Sequence, residues 1–114
     1  MATYPKRGEI WLGVHPDEEF ERPCLIVSTN SRNLNSNSVI VVPITSNLTP
    51  SPTHVELDIG DGGLSQKSMV RCENIATIYK EFLGDDALGR ALSQNKMSEI
   101  ERAILRAVGI VNLS

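Results

Sequence analysis

The sequence predicts a mainly β fold completed by one C-terminal helix. Two observations carry that reading. Through the first two-thirds of the chain, short apolar or alternating runs recur at intervals of roughly 10–15 residues, with turn-forming residues between them. In the last third the apolar spacing switches to the helical period. Strands and helices do not alternate, so a doubly wound parallel sheet is excluded. The pattern is that of a small barrel or a strongly bent sheet.

The elements follow in order. Residues 8–14 (GEIWLGV) form a first strand of mixed alternation, and residues 16–21 (PDEEFE) an acidic loop. Arg22 and Pro23 open an apolar run, residues 24–28 (CLIVS). Proline is tolerated at a strand start because no ladder donor is lost there. Residues 29–38 (TNSRNLNSNS) read as a polar loop, since Asn and Ser favour turns. Residues 39–45 (VIVVPIT) carry the strongest strand signal, being mostly β-branched. A second polar loop, residues 46–53 (SNLTPSPT), precedes residues 54–58 (HVELD), whose alternation gives a strand one wet face. Residues 60–63 (GDGG) make a turn. Residues 68–75 (SMVRCENI) are a further strand, and residues 76–79 (ATIY) continue or bend from it. Met97, Ile100, Ala103, Ile104, Ala107, Val108 and Val111 then line one face of a helix of about four turns. Ser93 is its expected N-cap and Gly109 its expected terminator. A shorter helix fits residues 85–92.

The 114 residues are read as one domain, 1–114. With 40% apolar and 22% charged residues, the composition is that of an ordinary globular chain. Such a chain buries roughly two-thirds of its unfolded surface, enough for a core but not for a deep enclosed site. Chemistry is expected on a shallow surface or across a dimer seam. No apolar run reaches the ~18 residues of a membrane span, and the N-terminus lacks a signal-peptide core. The expectation is a cytoplasmic protein with no membrane partner. Cys24 and Cys72 form neither a CxxC nor a zinc framework, and both are expected as buried thiols. The net charge is −3 and neither half is basic, so any nucleic-acid site must be a local cluster of arginines.

Phosphate-loop, dinucleotide-binding, HExxH and nucleophile-elbow motifs are all absent. His15 and His54 offer no metal-ligand spacing and read as isolated surface histidines; no metal or other cofactor is expected. What remains is polar residues at strand ends. Arg22 precedes one apolar strand, and Thr45 and Ser46 end another. Arg71 and Glu73, at i and i+2, point to one face if their strand persists. An arginine that begins one strand meets a threonine that ends another if the two strands are antiparallel neighbours. A guanidinium with a hydroxyl suits a phosphodiester, because the planar fork bonds two oxygens at once. The alternative pairs Arg22 with the acidic loop and leaves Arg71 and Glu73 as a solvated pair.

Five segments stand in the order seen in the MazF/PemK family of toxin endoribonucleases. They are Arg7-Gly8-Glu9-Ile10-Trp11-Leu12, then Arg22-Pro23-Cys24-Leu25-Ile26-Val27-Ser28, then Val41-Val42-Pro43-Ile44-Thr45-Ser46, then Pro52-Thr53-His54-Val55-Glu56-Leu57, and the run from Ser68 to Ile78. The chain resembles that family from about residue 5 to residue 112. The resemblance implies an SH3-like small barrel with a C-terminal helix, acting as a homodimer. It implies a metal-independent endoribonuclease that cuts single-stranded RNA, usually mRNA, and a cognate antitoxin that covers the RNA groove.

Under that resemblance Arg22 and Thr45 are the core catalytic pair. Arg71, Cys72 and Glu73 match an Arg-Cys-acid pattern of one branch, with Glu where Asp is expected. RNA cleaves when its 2′-OH attacks the adjacent phosphate, leaving a 2′,3′-cyclic phosphate and a 5′-OH. Arg22 would stabilise the phosphorane and Thr45 would hold an oxygen by its hydroxyl. A guanidinium keeps its proton, so Glu73 is the better proton acceptor. Arg71, Ser46, Phe20 and Arg32 are expected among the RNA contacts, Phe20 either stacking on a base or packing inward. Residues 15–21 (HPDEEFE) are shorter and more acidic than the family's loop there. Carboxylates beside a phosphate site repel RNA within one Debye length, about 8 Å. A second function is therefore kept open: a catalytically silent relative that binds an antitoxin or operon DNA.

Overall fold

The computed structural model describes residues 3–14 and 19–110. His15, residues 16–18 of the acidic loop and Val111 lie outside them. The strands are β1 (Ile10–Gly13), β2 (Arg22–Ile26), β3 (Ser38–Thr45), β4 (His54–Leu57), β5 (Ser68–Arg71) and β6 (Ala76–Tyr79). The helices are α1 (Asn30–Asn35) and α2 (Gln94–Ala107).

All six strands join one antiparallel sheet in the order β1-β2-β3-β5-β4, with β6 also paired to β3. The β-branched β3 is the axis of the sheet. One of its edges pairs with β2, and its other edge is shared. Ser38–Val41 pair with β6, whereas Ile44 and Thr45 pair with β5. Two successive strands on one edge require a bend between them. The expected single strand over residues 68–75 accordingly ends at Arg71, and a turn closed by Asn74 N–H to the Arg71 carbonyl at 3.1 Å leads to β6.

The named strands do not close into a full barrel. Instead the chain after β6 runs back along the outer edge of β1. Val14, Gly84, Leu88 and Leu92 donate to the carbonyls of Phe82, Leu12, Ile10 and Gly8 at 2.8–3.1 Å. No helix forms over residues 85–92, contrary to the sequence pattern. The exposed carbonyls of an edge strand take the amides that such a helix would need for itself. This return passes very close to the 3₁₀ turn Asp61–Gly63. Gly63 lies at φ +90°, and a side chain there would collide with the Leu88 carbonyl.

The expected loop over residues 29–38 contains α1. Thr29 caps it by accepting from Arg32 N–H. The Asn33 amide, wholly buried, donates to the Ser28 carbonyl at 3.0 Å and accepts from the Ser28 hydroxyl. These Asn and Ser residues satisfy the backbone from inside the fold, which local turn preference does not reveal.

Alternation along β2 and β3 feeds two cores. Leu25, Val42 and Ile44 join Ile10, Val55, Leu57 and Val70 beneath Met97, Ile100 and Ala103 of α2. On the other face Cys24, Ile26, Val39 and Val41 pack with Trp11 and Ile78. Burying each large aliphatic side chain contributes about 1.5–3 kcal/mol. Ser93 caps α2 by accepting from Lys96 N–H at 3.1 Å. At the other end Gly109, at φ +85°, closes a Schellman turn in which Ile110 donates to Leu105 and Gly109 to Arg106. Cys24 and Cys72 are buried, unbridged and in different cores.

Candidate active site at the end of the central strand

β2 begins with Arg22 and β3 ends with Thr45. Their antiparallel register runs from Ile26–Val41 to Cys24–Pro43, and Arg22 and Thr45 each lie two residues beyond its last pair, at one end of the two strands. Both side chains accordingly line a cleft of about 560 Å³, together with Phe20, Glu21 and Ser46. Its floor comes from Gly63, Leu64 and Ser68, so the close approach of the 3₁₀ turn to Leu88 shapes it. Phe20 is 67% exposed at this cleft. The Thr45 hydroxyl accepts from Asn47 N–H at 3.1 Å, which fixes its oxygen at the strand end.

Thr45 also borders a smaller cavity of about 150 Å³, lined by Asn47, Thr49, His54 and Arg71. β4 pairs His54 with Arg71 across the sheet. Glu73 lies past the end of β5, in the turn, yet it still meets Arg71: Nε to Oε2 is 3.7 Å. The tighter contact is with His54, whose Nε2 stands 2.9 Å from Oε2 of Glu73. Thr53 donates its hydroxyl to the other carboxylate oxygen at 3.0 Å. His54 Nδ1 faces the Thr49 carbonyl at 2.8 Å.

The charges follow from these contacts. The Thr49 carbonyl raises the His54 pKa above its ordinary 6.5, and the Glu73 carboxylate adds to the rise against burial and Arg71. Burial works to raise Glu73. Hydrogen bonds from His54, from its own amide and from Thr53 outweigh it and hold the carboxyl below its ordinary 4.5. Burial pushes both thiols up to about 12, so neither Cys24 nor Cys72 is a nucleophile here.

Of the residues expected at the site, the structure gathers Arg22, Thr45, Ser46 and Phe20 at one cleft. It sets Arg71 and Glu73 beside the adjoining cavity. Arg32 is elsewhere. Its guanidinium binds the Ser38 carbonyl and hydroxyl at 2.7 and 3.1 Å, at the opposite end of β3 from Thr45. Seven residue steps along the strand separate those ends, roughly 23 Å. His54 was passed over as an isolated surface histidine, yet its side chain is only 10% exposed and stands 2.9 Å from the Glu73 carboxylate. Its cross-strand partner Arg71 was visible in the sequence, but the register that joins them was not. Among the described residues no cluster of His, Cys, Asp and Glu is placed to hold a metal ion. Chemically, a guanidinium and a hydroxyl on one cleft, with a second arginine and a held carboxylate one cavity away, suit a phosphodiester and a proton transfer beside it.

The likeness to known proteins runs through this whole arrangement. A family model described as a PemK-like, MazF-like toxin of type II toxin–antitoxin systems matches residues 6–108. A protein of Staphylococcus epidermidis named Endoribonuclease MazF is 31% identical over 114 residues, covering 94% of this chain and 93% of its own length. The solved structure of an endoribonuclease in complex with its cognate antitoxin, from mycobacterial species, superposes with a TM-score of 0.82 at 31% identity. That match covers 96% of this chain and 99% of the other. The Mycobacterium tuberculosis toxin MazF-mt6 superposes with a TM-score of 0.79 at 28% identity, covering 91% and 99% of the two chains. With the bent antiparallel sheet, the C-terminal helix and the family match all spanning the same residues, the chain belongs to the PemK-like, MazF-like toxin family of type II toxin–antitoxin systems.

Proposed function

We propose that this protein is the endoribonuclease toxin of a toxin–antitoxin pair and cuts single-stranded RNA without a metal ion. The observation that carries the reading is Arg22 and Thr45 lining one open cleft, in a chain of this family. The 2′-OH attacks the adjacent phosphorus, the bond to the 5′ oxygen breaks, and a 2′,3′-cyclic phosphate and a 5′-OH remain. Arg22 donates hydrogen bonds to the phosphorane and to the departing oxygen, where charge develops. Thr45 orients a non-bridging oxygen by its hydroxyl. Glu73 takes the proton of the 2′-OH, and the departing 5′ oxygen takes one from a solvent water as it leaves. Arg71, Ser46 and Phe20 contact the flanking RNA, Phe20 by stacking.

The chain works as a single domain in the cytoplasm. No helix among its described residues is long and apolar enough to cross a membrane. A two-fold homodimer brings two copies of Arg22 and Arg71 together on an otherwise acidic protein. A cognate antitoxin is the protein partner, as in the similar mycobacterial complex.

The test is cleavage of a long single-stranded RNA by the purified protein in EDTA, beside Arg22→Ala. Cuts at a recurring short sequence, ending in cyclic phosphate and lost in the variant, are expected. Glu21, exposed on the cleft beside Arg22, favours the second reading, a silent module that binds an antitoxin or operon DNA. Uncut RNA with folded, antitoxin-free protein would select it.

A further inference from the structure

We infer that His54 is a positioning residue of this site: its ring bridges the Thr49 carbonyl and the Glu73 carboxylate, and so ties the β3–β4 loop to the turn after β5. The inference rests on the RNA-cleaving reading above and deepens it. Thr49 lies in the loop that leaves Thr45, and Glu73 in the turn that leaves Arg71. One ring therefore links the two segments that flank the end of the central strand.

Both of its partners only accept hydrogen bonds. The ring satisfies both at once only by donating from both nitrogens, which the imidazolium does and the neutral ring does not. The raised His54 and lowered Glu73 pKa values agree with that charge pair. On the β5 side the ring meets Glu73 and Arg71. On its other flank the cleft between β4 and α2 sets Glu56, Asp58 and Glu99 against Lys96, Arg102 and Arg106, and these charges balance. Glu73 is thus the charged partner of His54, and it adds to the rise that the Thr49 carbonyl sets. As the pH rises through the His54 pKa, the ring loses one of its two protons and can no longer donate to Thr49 and Glu73 together, so the bridge between loop and turn opens at one end. Cleavage should fall on the alkaline side for that reason.

The experiment measures kcat and KM on an RNA oligonucleotide from acid to mildly alkaline pH for the wild type, His54→Ala and His54→Gln. Alongside, the His54 ring signals are titrated by NMR in the wild type and in Glu73→Gln. His54→Ala should lower kcat roughly tenfold to a hundredfold with little change in KM. His54→Gln, which keeps a neutral donor, should recover part of the rate and lack the alkaline fall. The His54 pKa should drop in Glu73→Gln, and this arm stands even if His54→Ala does not fold. Wild-type kcat and pH profile in both His54 variants, or a His54 pKa indifferent to Glu73→Gln, would overturn the inference and leave the endoribonuclease reading intact. A wild type that cuts no RNA would remove both together.

Discussion

Arg22 and Thr45 line one cleft, each two residues beyond the Cys24–Pro43 pair that ends the β2–β3 ladder. A planar, permanently charged donor and a small hydroxyl thus meet one space. Arg22→Lys keeps the charge and loses the fork that grips two oxygens. RNA cleavage should fall by roughly a hundredfold in Arg22→Lys, and further in Arg22→Ala. Rates from a fluorogenic RNA, with Tm as the folding control, check this.

The role proposed for Thr45 rests on one oxygen. Thr45→Ser should keep most of the activity, whereas Thr45→Val, similar in shape, should lose roughly tenfold or more. Val also abandons the Asn47 N–H, so it should lower stability by about 1 kcal/mol. Urea unfolding separates that small cost from the loss of rate; equal activity in Val and Ser would remove Thr45 from the chemistry.

The His54–Glu73 pair makes stability pH-dependent in a definite sense. The folded pKa of His54 lies above 6.5, so its contribution is complete below that value and is lost as the pH climbs through the folded pKa. The folded pKa of Glu73 lies below 4.5, so its contribution is complete above that value and is lost as the pH falls through the folded pKa. Between 4.5 and 6.5 both contributions are present. Glu73 is 34% exposed, so the effect is modest. Plots of Tm against pH for the wild type and His54→Gln should converge on the alkaline side; parallel curves would show that the pair contributes nothing.

Gly63 supports the floor of the cleft. Its φ of +90° and the Leu88 carbonyl beside it leave no room for a Cβ. Gly63→Ala should cost about 1–3 kcal/mol. It should also displace Leu88, which lines the same cleft, so activity should drop along with stability. Calorimetry and cleavage rates on the one variant test both statements.

Cys24 and Cys72 are buried, and burial pushes each thiol up to about 12. Alkylating reagents at neutral pH should leave the native protein unmodified and label both cysteines after unfolding. Mass spectrometry reads the outcome, and rapid labelling of the native state would contradict the packing described.

Strand positions were legible because β-branched runs and alternation are local. β3 and the capped helix α2 appear within a residue or two of their sequence-based limits. Two segments were not legible, for different reasons. Residues 85–92 carry a helix-like spacing, yet the open edge of β1 takes their amides. Residues 29–38 look like a loop, yet a buried Asn33 locked to Ser28 stabilises α1. In both cases a distant hydrogen-bond partner overrides a local preference. Arg22, Thr45, Ser46 and Phe20 were named from the sequence and meet at one cleft, whereas Arg32 sits at the far end of β3 and serves Ser38.

From the sequence alone came the strand-rich class, the helix with its caps, the buried thiols and the short list of polar strand ends. Each depends on neighbours a few residues away, through periodicity and capping. Only the tertiary structure decided which of those ends meet. Strand pairing brings Arg22 and Thr45 to one cleft and sets His54 against Arg71, and the bend after Arg71 carries Glu73 to the imidazole. Those relations join residues as far as 23 positions apart, and hydrogen-bonded pairing across a bent sheet, not local propensity, brings them together.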